Sequence, residues 1–234
     1  MKNATVNTIG HPVSQTPIRE MTIKDPGSSI THFVGLIMAA LGTAPLIVRA
    51  GRHDSPIYMF SMAVFMASMI LLYAASTTYH TFDVSPSVNK LLKKVDHMMI
   101  SVLIAGSYTP VCLLVLNKRL GLILLAIVWG LAITGILIKA FWIYCPKWFS
   151  SILYIGMGWT CILAFGPIVH SLTPGAFFWL LTGGIIYTIG GVIYALKLPL
   201  FNSKHPYFGS HEIFHLFVMG GSLCHYIFMF CYLA

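Results

Sequence analysis

Residues 121–142 read GLILLAIVWGLAITGILIKAFW, 22 positions in which only Lys139 carries a charge. A helix rises 1.5 Å per residue, so a run of this length spans the roughly 30 Å hydrocarbon core of a bilayer. It is too long and too uniformly apolar for a strand or for one face of a soluble helix. Working outward, charged or Pro/Gly-rich breaks separate six more such runs. The full set is 30–48, 56–80, 95–116, 121–142, 149–170, 175–196 and 211–233. The expected fold is therefore an all-α, seven-helix transmembrane bundle covering residues 29–234. Residues 1–28 precede the first long apolar run and read as a disordered or loosely attached cytoplasmic tail. This start is too long and mixed for a signal peptide, so the first span is expected to be retained.

Composition agrees. Of the 234 residues 57% are hydrophobic and 9% charged, against roughly 25% charged in an ordinary soluble domain. The excess of 14 Lys and Arg over 6 Asp and Glu is explained by orientation rather than by nucleic acid. The tail (Lys2, Arg19, Lys24) and the second, fourth and sixth connections (Lys90, Lys93, Lys94; Lys139, Lys147; Lys197, Lys204) hold ten cations. The other side holds Arg49, Arg52, Lys118 and Arg119. Positive-inside orientation then places the N-terminus in the cytoplasm and the C-terminus outside. Cys112, Cys145, Cys161, Cys224 and Cys231 show no CxxC pair and read as buried apolar thiols. Gly183, Gly184, Gly190, Gly191, Gly220 and Gly221 suggest close helix packing. Pro110 and Pro167 should bend or rewire their spans. With Gly106 and Ser107 before Pro110, the third span is the best candidate for a bend that opens a cavity. Nothing in the sequence sets an oligomeric state.

Ionisable side chains at membrane depth are costly, and each asks for a partner or a task. His80 ends the second span, Asp96 and His97 open the third, and His211 and His215 open the seventh, all on the cytoplasmic side. His211 and His215 are four apart and share one helix face, about 6 Å apart along the axis. Ser76 lies one turn from His80 on its face. This pattern points to Zn²⁺ held by His80, His211 and His215 with a water in the fourth position, Asp96 and Ser76 hydrogen-bonding that water. A buried acid suits a site of three neutral ligands and one dication. HEIFH also fits the HExxH pattern, in which the Glu is the general base. Glu212 projects about 100° from the face of the two histidines, so Asp96 is the favoured base and Glu212 the reserve. His32, His170 and His225 read as hydrogen-bonded packing residues. His225 lies about 15 Å beyond His215 along the helix.

Ser76 and His80 in SxxxH, Asp96 in KKVDHMMISVLIAGSYTP, and HEIFHLFVMGGSLCHY from His211 onward resemble the progestin and adipoQ receptor superfamily, specifically its bacterial hemolysin III branch. The resemblance runs from about residue 28 through nearly the whole chain. It implies seven helices with an inside N-terminus and a zinc near the cytoplasmic face. It also makes His80, His211 and His215 the ligands, with Ser76 and Asp96 beside the zinc-bound water. Eukaryotic relatives, the adiponectin receptors among them, have been associated with ceramidase activity. An extended N-terminal domain is missing and the segment after the seventh span is short, so hormone recognition does not carry over. Three functions follow as expectations. The first is a zinc-dependent hydrolase of lipid amides or esters, its substrate entering from the bilayer. The others are a non-catalytic sensor with a structural zinc, and the cytolysin that the branch name suggests. The expected partners are membrane lipids.

Overall fold

A computed structural model of the chain describes residues 23–196 and 208–234, and among them there is no strand. Seven helices are long and apolar enough to cross a membrane. The first four are α1 (Pro26–Ala50), α2 (Pro56–Thr81), α3 (Pro86–Pro110) and α4 (Lys118–Phe141). The fifth span is broken into α5 (Lys147–Gly158), a 3-10 stretch (Trp159–Ala164) and α6 (Phe165–Ser171). The last two are α7 (Pro174–Leu196) and α8 (Ser210–Phe228). Prolines at the first helical position open α1, α2, α3 and α7, where a missing N–H costs nothing and the fixed φ suits a helix. Lys197, Lys204 and residues 1–22 of the expected tail lie outside the described residues.

Consecutive helices pack side by side from α1 to α4; α5 packs on α7, α7 on α8 and α8 back on α1, which closes a ring. The third span is the most enclosed, followed by the second. Phe65, Met62, Met66 and Tyr73 of α2 form much of the core. Outward-facing positions are apolar, among them Leu41, Val48, Leu137, Ile152 and Phe178, as a surface bathed in lipid requires.

Three expectations change. The third span starts at Pro86 rather than 95, because Ser85 caps it by accepting a hydrogen bond from the Val88 N–H (3.4 Å) and Pro86 starts the turn. Lys90, Lys93 and Lys94 therefore ride on the first turns of α3 rather than in a loop. Asp96 lies ten residues into the helix, so it reaches the interior instead of marking an end. Lys139 is not a loop cation either: it is only 1% exposed, which leaves nine cations against four in the orientation tally. Pro26, Gly27 and Ser28, given to the tail above, form the first turn of α1.

The bends fall beside the prolines rather than on them. α3 stays regular through Pro110, and a π-turn follows over Val111–Val115. Ahead of Pro167 the chain tightens into the 3-10 stretch, since proline cannot donate to the carbonyl four residues back. Tyr108 of α3 enters that break: its hydroxyl donates to the Gly158 carbonyl (2.5 Å) and accepts from the Cys161 N–H (2.8 Å). Backbone groups freed inside a bilayer are thus satisfied by a neighbouring helix. Between α7 and α8 the small residues do the packing expected of them, with exceptions. A Cβ on Gly190 would lie 2.6 Å from that of Phe217, and one on Gly221 would lie 2.8 Å from the Tyr187 ring, whereas Gly184 faces nothing within 4 Å.

Candidate metal centre

His80 sits in the last turn of α2, and His211 and His215 in the first turns of α8. Their ring centroids lie 5.1 Å (80 to 211), 5.3 Å (80 to 215) and 4.5 Å (211 to 215) apart. One ligand nitrogen from each falls within 4.8 Å of the others. The Nε2 atoms of His80 and His211 are 3.3 Å apart. Zinc bound tetrahedrally at about 2.0–2.1 Å would place neighbouring nitrogens about 3.3–3.4 Å apart. The trio thus has the donor chemistry and nearly the spacing for a zinc ion.

The outer partners of these rings favour the same use. His80 Nδ1 lies 2.9 Å from Asp25 Oδ2, so the ring donates there and keeps the Nε2 lone pair for the centre. His215 Nδ1 is 3.2 Å from Thr31 Oγ1. That hydroxyl hydrogen is directed at the carbonyls of Gly27 and Ser28 (both 3.0 Å), so the imidazole is the donor and its Nε2 is again free. Carboxylate and hydroxyl partners of this kind fix tautomer and orientation in metal-binding histidines. Asp25 is held in turn by its own backbone, whose N–H donates to the His80 carbonyl (2.9 Å); the Lys24 N–H does the same to Thr81 (3.2 Å). The Lys24 ammonium sits 3.6 Å over the Tyr79 ring and 3.9 Å from Asp25. Partial burial lowers its pKa below the usual lysine value, an effect opposed by Asp25.

Ser76 and Asp96 are both buried and both line the cavity that reaches the histidines. Among the described residues Ser76 Oγ has no hydrogen-bond partner, an unusual state for a buried hydroxyl and one that suits a group waiting for a ligand or water. Asp96 Oδ2 is 3.3 Å from His97 Nδ1. Glu212 is occupied elsewhere. One oxygen accepts from Ser28 Oγ (2.5 Å) and the other from the Gly209 N–H (2.8 Å), so it caps α8 and ties it to the start of α1. Of the histidines read as packing residues, His170 is exposed, in the last turn of α6. His225 approaches the Leu180 carbonyl (3.3 Å). His32 is closer to the site than expected: it stacks on His215 at 3.6 Å and 10°, and neither ring nitrogen has a partner among the described residues.

Sequence reasoning missed Asp25 and Thr31 and gave His32 only a packing role. Asp25 lay in the segment set aside as tail, and Thr31 and His32 at the polar start of the first span. From His211 and His215 a cavity of about 200 Å³ runs through the bundle, lined by residues of α3 and the turn after it from Asp96 to Val111 and of α8 from His211 to His225. Fifteen helical residues amount to about 22 Å, most of the bilayer core. Its walls are apolar, including Ile100, Leu103, Ile104, Phe177 and Leu180.

Fold and site together define a multi-pass helical membrane protein with a three-histidine group that could hold a metal ion at the end of a buried apolar cavity. The family described as Haemolysin-III related matches residues 21–226, and the chain belongs to that family. It is 38% identical to "Hemolysin-3" of Bacillus cereus over 207 residues, 88% of this chain and 90% of the relative. It is also 38% identical to "Hemolysin-3 homolog" of Bacillus subtilis (strain 168) over 202 residues, 86% and 91% of the two chains. A more distant relative is "Progestin and adipoQ receptor-like protein 1" of Caenorhabditis elegans, 27% identical over 224 residues, 86% of this chain and 50% of the relative. That likeness is consistent with the wider superfamily.

Proposed function

We propose that the protein is a zinc-dependent hydrolase of lipid amide or ester bonds in a bacterial inner membrane, with ceramide-like lipids as the reference substrates. The observation that carries this reading is the convergence of His80, His211 and His215 at a buried apolar cavity that also presents Asp96 and an unpartnered Ser76. The three imidazoles would hold the metal, which when bound supplies Lewis acidity toward a carbonyl and makes water a better nucleophile. Asp96 accepts the proton of the attacking water and returns it to the leaving amine or alkoxide. Ser76 donates a hydrogen bond to the reacting group. The cavity walls take the acyl chain directly from the bilayer and keep bulk water from the site.

Purified wild-type protein should carry zinc by elemental analysis and release fatty acid from a ceramide in mixed micelles. Asp96→Asn should keep the metal and lose turnover at least a hundredfold, the usual contribution of a general base. Equal turnover in the two proteins would overturn the role of Asp96. A sensor with a structural zinc is the second reading, favoured by the way Asp25 and Glu212 tie the start of α1 to α2 and α8. It predicts loss of thermal stability in His80→Ala and no hydrolysis by wild type with any lipid tested. Dye leakage from liposomes that persists in His211→Ala would instead support the cytolysin.

A further inference from the structure

A second polar cluster lies away from the histidines, where α4 meets α5. Lys139, in the last turn of α4, is 1% exposed, and among the described residues no carboxylate lies within ion-pair distance of it. Its Nζ donates instead to Cys145 Sγ (3.0 Å), in the connection between the helices, and to Ser150 Oγ (2.5 Å), in the first turn of α5. Cys145 Sγ and Ser150 Oγ are 3.3 Å apart, and both residues are buried. The Tyr154 ring lies 5.8 Å from the amine. A buried lysine without a carboxylate is costly, and its placement against sulfur asks for a use. Neither the zinc reading nor the cavity involves these three side chains.

We propose that Lys139 and Cys145 form a redox-responsive modification site, in which a peroxide converts the pair into a covalent sulfur–nitrogen link. In the first step the thiol is oxidised by hydrogen peroxide to a sulfenic acid, with one water released. In the second, the Lys139 ammonium first gives up a proton through Ser150 Oγ and its nitrogen then attacks that sulfur. The S–N bond forms, the S–O bond breaks, and the hydroxyl leaves with an amine proton as a second water. The pair has lost two hydrogens and the peroxide has been reduced to two waters. Sulfenic acids condense with thiols or with nearby nitrogens. Here no thiol contacts Cys145 among the described residues, whereas the nitrogen is already 3.0 Å away. Holding reactants at contact greatly raises the rate of such a step. Ser150 Oγ, touching both atoms, is placed to take up and pass on the amine proton. The link would tie the end of α4 to the connection into α5, on the face that the cation tally assigns to the reducing cytoplasm, where a thiol rests reduced.

The test uses the full chain in detergent micelles, reduced and then treated with hydrogen peroxide, with Cys231 as an exposed reference thiol. Intact mass should fall by about 2 mass units per molecule for this site, tandem spectra should join Lys139 to Cys145, and dithiothreitol should restore both residues. Lys139→Arg, which keeps the charge, should abolish the link and leave Cys145 open to capture by a sulfenic-acid probe. Cys145 left as a free thiol under conditions that oxidise Cys231 would overturn the proposal. So would its direct passage to sulfinic acid in the wild type. These wild-type outcomes decide the matter whether or not the variant folds.

Discussion

α8 carries histidines at both ends of its buried face, and the two ends behave differently. At the start, His211 and His215 meet His80 from a helix 131 residues away in sequence, and their ring nitrogens converge. Toward the other end, His225 meets one backbone carbonyl and the edge of Tyr187, beside Gly183. Residue type and helix are the same; what differs is what the neighbouring helices bring. A histidine inside a bundle can serve as a ligand when other elements supply matching donors and outer partners, and otherwise it fills space with one hydrogen bond.

Substitutions can break that contrast. The largest effect is expected from His215→Ala, which removes one of three donors and should leave the purified protein essentially free of metal by elemental analysis. Next comes Asp25→Asn. Loss of a carboxylate behind a ligating imidazole typically weakens metal binding about 10–100-fold, and competition with a chelator would read it directly. Retained affinity would mean that the Asp25 contact merely anchors the chain. Glu212→Gln should cost about 0.5–2 kcal/mol of thermal stability through the weakened cap and leave the metal content unchanged. A catalytic Glu212 would show the reverse, with stability intact and turnover lost. The smallest effect belongs to His225→Phe, whose zinc stoichiometry and chelator resistance should match wild type. A metal-deficient His225→Phe would erase the distinction between the two ends.

The seven spans were legible because a bilayer writes its thickness into the chain as apolar runs, and every run is helical here, the fifth with a 3-10 break. The trio was legible too, from the four-residue spacing in HEIFH and the shared depth of His80. What escaped depends on contacts that no local pattern encodes. Asp25 precedes the first apolar run and looked like tail; it matters because its backbone pairs with the end of α2, 55 residues on. Lys139 looked like a loop charge because it stands one turn before a connection, yet Ser150 and Cys145 draw its amine inward. The start of α3 was placed late because three lysines within five residues resemble a loop by hydropathy, although their long stems suit a helix at the membrane surface. Glu212 had a readable signal, three residues after Gly209 in a helix-capping position, which the HExxH match overshadowed.

The sequence distance between His80 and His211 also bears on biosynthesis. At roughly 5–20 residues per second, the ribosome needs about 7–26 s to make the 131 residues that separate them. Through that interval Asp25, Ser76 and His80 have been synthesised, while the two remaining donors do not yet exist. The three-histidine group therefore assembles only when the final helix has entered the bundle in register. Metal uptake would then report completed insertion: a chain stalled after six spans, or one with its last helix misplaced, has one imidazole where three are needed.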